Sequence, residues 1–392
     1  MEELFLSRRV QDALKRAVDE QSETVAEMVR ICEIPAPTFS EGLRGEYVCN
    51  RMKELGLEDV RTSEIGNVIG RLPGQGGGPL VIVVAHLDTV FPHGTDVQVK
   101  RDGNRLLAPG IGDNCSNLAG MLAAARALIG AGIRPEGDLV LAATVGEEGL
   151  GNLRGMRALM DEFDDRASAV IALDGNLGAL VHQGVGSRRL KVICRTEGGH
   201  SWGSFGAPSA IHALCRMIDR VSRLDVPASP RTTYNAGLIS GGTSVNTIAP
   251  RAECLIDLRS VDGQELARLE GRVRRIIQET GEETAVRREI EVIGDRPAGM
   301  IPADHSLVRT VKQVHDFLGL ETRIMPSSTD MNIPLSRGIP AITVGVTVGG
   351  NGHRVDEYVD VAPLAKGVQQ LILLLVALFD SGALDKTRPG RV

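Results

Sequence analysis

The sequence predicts an α/β protein in two parts. A mixed-sheet domain formed by residues 1–187 and 302–392 is interrupted by a small α+β domain over residues 188–301. Three observations carry this. The apolar runs "PLVIVVAH", "DLVLAATVG" and "SAVIALDG" alternate with helix-period segments, as strands do in a sheet covered on both faces. Near Gly186 the texture changes to "RRLKVICRTEG", where polar and apolar residues alternate as in a sheet with one solvated face. After about residue 302 the first texture returns, and a chain of 392 residues exceeds one ordinary core.

Taken in order, apolar positions at helical spacing over residues 7–31 predict one helix, stopped by the two prolines of "IPAP". A second amphipathic helix covers about 41–55. "NVIGRL" and "PLVIVVAH" read as strands on either side of the glycine turn "GQGGG". An Ala- and Leu-rich helix at 117–130 precedes "DLVLAATVG", and another helix precedes "SAVIALDG". The inserted part reads as the strand "RRLKVICRTEG", a helix at 208–222, two strands around a turn in "AGLISGGTSVNTIAPRAECLIDLRSV", a helix at 263–279 and the strand "REIEVIG". That β-α-β-β-α-β order is the one of a ferredoxin-like unit. A helix at 305–318, the strand "GIPAITVGV" and a helix near 363–380 complete the chain.

Composition removes several classes of function. A net charge of −6 without a Lys/Arg block argues against nucleic-acid binding. No apolar run approaches the roughly 20 residues of a membrane span, and "MEELFLSRRVQDALKRAVDEQ" lacks the apolar core of a secretion signal. Six scattered cysteines with no Cys-x-x-Cys pair read as reduced thiols, so a cytoplasmic location is expected.

Ligands of open α/β sheets collect beyond the carboxyl ends of strands. There "VIVVAHLDTV" supplies His86 and Asp88, "GIGDNCSNLAG" supplies Asp113, "LAATVGEEGLG" supplies Glu147 and Glu148, and "AVIALDG" supplies Asp174. His353 follows on the glycine-rich "VGGNGHRVDEY". Residues i and i+2 of an extended chain face the same way, so the Asp88 carboxylate is expected to hold one ring nitrogen of His86 and leave the other for a metal. Each residue alone is an ordinary cap or turn residue. Together, two histidines and three carboxylates suit zinc in a hydrolytic site, and five ligands suit two ions sharing a bridging carboxylate. The residues alone do not say which of the paired glutamates binds metal and which acts as a base.

In the order "AHLDTV", "GDN", "GEEG", "LDG", "GHRVDEY", the sequence resembles the dinuclear zinc metallopeptidases and deacylases that include peptidase T, glutamate carboxypeptidase, acetylornithine deacetylase, succinyl-diaminopimelate desuccinylase and aminoacylase. The resemblance runs from "IPAPTFSE" to the last helix, with the peptidase T-like branch favoured. It implies a zinc-peptidase catalytic domain with an inserted lid that dimerises. His86 and Asp174 would hold one ion, Glu148 and His353 the other, and Asp113 both, with the Asp113–Asn114 bond cis. Glu147 would be the general base acting on a water between the ions, and Asp88 the partner of His86. Zinc is the expected metal, with cobalt or manganese able to substitute. The sequence departs from the family at "NCSN", where an acidic residue and Lys or Met often follow the bridging Asp; Cys115 reads as a small packed thiol.

"GHSWG" at 199–203 matches the Gly-x-Ser-x-Gly string of serine hydrolases, and Asp330 and His353 follow in order for a triad. A nucleophile elbow needs a buried strand before the serine and a helix starting directly after it. The segment before Ser201 alternates, and "WGSFGAPS" cannot begin a helix, so Ser201 is not read as a nucleophile. The resemblance points instead to His200, which in relatives donates to the carbonyl under attack. It also marks Asn246 in "GGTSVNTIAP" as a substrate or oxyanion donor and Arg259 in "IDLRS" as a clamp for a substrate carboxylate, although a structural ion pair explains Arg259 equally well. The expected activity is hydrolysis of small peptides, with N-acyl amino acid deacylation as the alternative and a non-catalytic binding protein as a remote one. A homodimer through the lid, with His200 serving the partner's site, is expected.

Overall fold

Ten strands, in chain order, build the two main sheets: β1 (Glu58–Thr62), β2 (Val68–Leu72), β3 (Leu80–His86), β4 (Leu139–Thr144), β5 (Ala167–Leu173), β6 (Gly186–Arg195), β7 (Thr232–Gly241), β8 (Arg251–Ser260), β9 (Arg287–Arg296) and β10 (Ala341–Val344). They belong to a computed structural model that describes residues 1–164, 166–284 and 286–379, without the side chains of 281–284. The chain divides into two compact units, Met1–Gly184 with the chain from Met300 onward, and Val185–Gly299.

In the first unit the sheet order is β1-β2-β4-β3-β5-β10. The edge pairs β1/β2 and β2/β4 are antiparallel, whereas β4, β3, β5 and β10 run parallel. Their apolar runs fit that place: Val81 to Ala85 and all of β4 are buried, as parallel strands covered on both faces must be. Each such Val, Leu or Ile contributes about 1.5–3 kcal/mol by leaving water. The helix Asn117–Gly130 packs on β3 and against the helices Arg8–Asp19, Gln21–Cys32 and Leu364–Phe379. Four parallel strands therefore share one carboxyl edge, and the loops there are where the polar side chains collect.

The helix expected over 7–31 is two helices, Arg8–Asp19 and Gln21–Cys32, preceded by the turn Glu2–Phe5. The break falls at Glu20, whose backbone leaves the helical range and whose carboxylate accepts a hydrogen bond from Arg126 Nε at 2.6 Å. Helical periodicity continues through the break, so the pattern alone does not disclose it. The last helix ends its described course at Phe379, and residues 380–392 of the expected domain lie outside the described residues.

The second unit has the sheet order β7-β8-β6-β9, antiparallel throughout. Alternate residues of β8, including Ala252, Cys254, Ile256 and Leu258, pack with Leu190, Val192 and Cys194 of β6 under the helices Ala210–Ser222 and Gly263–Thr284. Two helices on one face of this sheet make the ferredoxin-like arrangement. The edge strand β7 leaves Leu238 and Ile239 exposed. Among the described residues no helix is long and apolar enough to cross a membrane, and all six cysteines are free.

Candidate metal centre

The five loops at the carboxyl edge bring the predicted ligands together. His86 is the last residue of β3, and Asp174 follows β5 directly. Glu147 and Glu148 follow β4 after a short turn, and His353 lies in the segment after β10. Asp113 comes from the irregular turn Ile111–Ser116 ahead of the helix Asn117–Gly130, and the Asp113–Asn114 bond is cis.

Asp113 is at the centre. Its Oδ1 stands 3.0 Å from His86 Nε2 and its Oδ2 3.1 Å from His353 Nε2. His353 Nε2 is also 3.0 Å from Glu148 Oε1. Two groups of three potential ligands share Asp113: His86 with Asp113 and Asp174, and Asp113 with Glu148 and His353. A third, His86 with Glu147 and Glu148, places Glu147 beside both; the ligand atoms within each group lie within 4.8 Å of one another.

The electrostatics are those of a cluster suited to cations. Burial pushes the Asp174 carboxyl up to about 7, and the neighbouring charge of Asp113 adds to the shift. Asp113 is affected the other way: burial raises it, but hydrogen bonds to His353 and His86 hold it well below the usual carboxylate range. Hydrogen bonds to Asp113 and then Glu148 carry His353 up to about 11. Burial disfavours the charged form of His86, and the hydrogen bond and charge of Asp113 more than reverse this. Apart from this mutual contact at 3.0 Å, the buried His86 Nε2 and Asp113 Oδ1 have no hydrogen-bond partner among the described residues. Such orphaned donors on a carboxylate and an imidazole fit a divalent ion, which satisfies both at once.

Asp88 behaves differently from the sequence expectation. His86 Nδ1 lies 3.0 Å from the backbone oxygen of Asp88 and 3.7 Å from its carboxylate. The carboxylate is already saturated: Oδ1 accepts from Glu147 N at 3.0 Å, and Oδ2 accepts from Glu148 N and from the Thr38 hydroxyl, each at 2.9 Å. The carbonyl still fixes the imidazole tautomer with Nε2 directed at Asp113, while the carboxylate positions the two glutamates.

Sequence reading missed two buried supports. Arg44 gives its guanidinium to the carbonyls of Ile34, Leu87 and Cys32, tying the loop after β3 to the end of the second helix. Glu357, inside the quoted "GHRVDEY", accepts hydrogen bonds from the amides of Gly110, Gly112 and Asp113. Cys115 is a buried free thiol, hydrogen-bonded to that of Cys32.

In the second unit His200 ends a two-residue strand paired with Thr247–Ile248. Its Nδ1 faces the amides of Trp202 and Gly203 at 3.2 and 3.3 Å, so it acts as acceptor and the ring proton sits on Nε2. Ser201 donates its amide to Asn246 O at 2.9 Å, which brings Asn246 beside the histidine turn. Turns continue to Gly206 and the next helix starts at Ala210, so no nucleophile elbow forms at Ser201. Arg259 gives its Nε to Asp257 at 2.7 Å. It stands eight residues along β8 from Arg251, roughly 26 Å at strand rise, whereas Asn246 precedes that strand. Arg259 is therefore not brought to His200 and Asn246. Asp330 is buried in the first unit and accepts the Thr144 hydroxyl at 2.6 Å.

Among proteins of known sequence, the chain is 24% identical to the uncharacterized protein YqjE of Bacillus subtilis, over 91% of this chain and 98% of the relative. It is 24% identical to carboxypeptidase G2 of Pseudomonas sp., covering 92% and 91%. The fold matches that of the aminopeptidase PepT of Bacillus cereus with a TM-score of 0.77 at 22% identity, covering 91% and 98%. It matches a tripeptidase of Staphylococcus aureus with a TM-score of 0.79 at 22% identity, covering 92% and 98%. YxeP of Bacillus subtilis, a dinuclear metal-binding peptidase, matches with a TM-score of 0.71 at 16% identity, covering 93% and 99%. The model of peptidase family M20/M25/M40 matches residues 82–377, a span that takes in His86, Asp113, the paired glutamates, Asp174 and His353. The chain belongs to this family and is a hydrolase acting on C–N bonds.

Proposed function

We propose that the protein is a two-zinc hydrolase of amide bonds in small peptides, with Glu147 as its general base. The observation that carries this reading is Asp113 shared between two groups of ligands, with Glu147 adjoining both. His86 and Asp174 are assigned to one ion, Glu148 and His353 to the other, and Asp113 to both. Bound there, divalent zinc supplies Lewis acidity that polarises a carbonyl and acidifies water.

The chain's own groups do the rest. Glu147 takes a proton from the attacking water and returns it to the leaving amine. Asp88 holds the backbone of Glu147 and Glu148, so that the two neighbouring carboxylates keep separate directions. His200, with its proton on Nε2, donates to the oxygen of the carbonyl under attack. Asn246 is assigned beside it as a second donor. Arg259 keeps guanidinium donors beyond the one given to Asp257 for a substrate carboxylate.

A homodimer paired through the second unit fits the placement of two of these residues. His200 lies in a separate two-stranded pair beyond the Arg251 end of β8 and Arg259 near the other end of that strand, too far apart to touch one small substrate from the same chain. If both serve one site, one of them comes from a partner copy, and we assign that part to His200. The exposed edge of β7, with Leu238 and Ile239, supports such pairing. A cytoplasmic location fits the free thiols.

The test is a hydrolysis screen with zinc, manganese or cobalt present, comparing di- and tripeptides with N-acetyl and N-succinyl amino acids. Turnover of peptides alone supports the reading. Turnover confined to acyl amino acids replaces it with a deacylase.

A further inference from the structure

Asp113 is gripped from two sides by one short stretch of chain. His353 meets its carboxylate, and Glu357, four residues later, meets its backbone. Glu357 is 2% exposed and forms no ion pair among the described residues. Its Oε1 accepts the amides of Gly112 and Asp113, both at 2.8 Å, and its Oε2 accepts that of Gly110 at 3.0 Å. The backbone of Glu357 is anchored as well, its carbonyl by Ala108 N at 3.1 Å and its amide by Arg354 O at 3.1 Å.

The loop is fitted closely around this carboxylate. A Cβ on Gly112 would lie 3.0 Å from Glu357 Oε1. Gly110 has φ +77°, which favours glycine, and a Cβ there would lie 2.6 Å from Thr89 Cγ2. A neutral amide cannot replace the carboxylate, because its NH2 would face one of the backbone N–H donors.

We propose that Glu357 is a positioning residue for the metal centre: by accepting the amides of Gly110, Gly112 and Asp113 it sets the direction of the Asp113 side chain, so that one carboxylate serves both ions. The inference rests on the two-ion reading above. A carboxylate turned away from one ligand group weakens the ion in that group first. Positioning hydrogen bonds around metal ligands are typically worth about 10- to 100-fold in affinity.

Metal-free wild type, Glu357→Gln and Glu357→Asp are titrated with cobalt(II) alone, following visible absorption and the magnetic coupling between ions by electron paramagnetic resonance. Thermal unfolding of each metal-free protein is measured alongside. The wild type is expected to bind two coupled ions. Glu357→Gln is expected to bind the second at least tenfold more weakly and without coupling. Glu357→Asp, which keeps the charge on a shorter arm, is expected to fall between them, and it decides the matter if the Gln variant does not fold. A variant that is less heat-stable yet binds two coupled ions with wild-type affinity has lost only packing and overturns the inference. A wild type that binds fewer than two ions overturns the two-ion reading and this inference with it.

Discussion

Replacing Asp88 by Asn tests how the paired glutamates are held. The Asp88 side chain is fully buried and accepts the amides of Glu147 and Glu148 and the Thr38 hydroxyl, at 2.9 to 3.0 Å. Asn keeps one carbonyl oxygen, so one of the two amides faces an NH2 group instead of an acceptor. An unsatisfied buried N–H costs about 1–3 kcal/mol. The bonds that remain go from charge-assisted to neutral, which removes about 1 kcal/mol more. Thr38 loses nothing further, since its hydroxyl can turn and accept from the new NH2. The sum is about 2–4 kcal/mol from the first unit. Urea unfolding of the metal-free protein by far-UV circular dichroism reads this loss. Hydrogen exchange at the amides of Glu147 and Glu148 should accelerate. A variant within about 0.5 kcal/mol of wild type, with exchange unchanged, would show that Asp88 does not hold this loop.

Three further outcomes are expected. Glu147→Gln should keep its metal and lose about 10²- to 10⁴-fold in kcat, whereas Glu148→Gln should lose metal affinity; the reverse pattern would exchange their roles. His315 is buried between Thr322 and Gln370, each at 2.7 Å, and burial lowers its pKa below the ordinary 6.5. The neutral ring contributes stability that is present above 6.5 and lost as pH falls through the lower folded value, so Tm should drop more steeply below pH 6.5 in wild type than in His315→Gln. Mixing a His200→Ala chain with a Glu147→Gln chain should restore activity on subunit exchange, because one site of the mixed dimer then carries both defects and the other none; no recovery, or a monomer by light scattering, contradicts the assignment of His200 to the partner's site.

The α/β fold and its inserted unit are legible because burial on two faces and burial on one face leave different periodicities, as β3 and β8 illustrate. His86, Asp113, Asp174 and His353 are legible as polar residues at strand and helix ends, where a sheet collects ligands. Residues acting through the backbone are not. Glu357 reaches amides 244 to 247 positions away, and no pattern marks an acceptor whose donors are main-chain groups. Arg44 is hidden for the same reason, a cation buried among carbonyls on a helix that reads as amphipathic. Spacing put the Asp88 carboxylate on His86, but two amides and a hydroxyl claim it first. At "GHSWG" the string misleads and the local geometry does not: the amides after the histidine cap its ring, and the serine only donates its amide to Asn246.

Metal content measured together with activity tests the central claim most directly. Protein purified without chelator is analysed for metals, stripped, and assayed for hydrolysis of the substrate found in the screen before and after zinc is returned. The account predicts about two divalent ions per chain, loss of hydrolysis on stripping and its return with zinc. Full hydrolysis by the metal-free protein would contradict it.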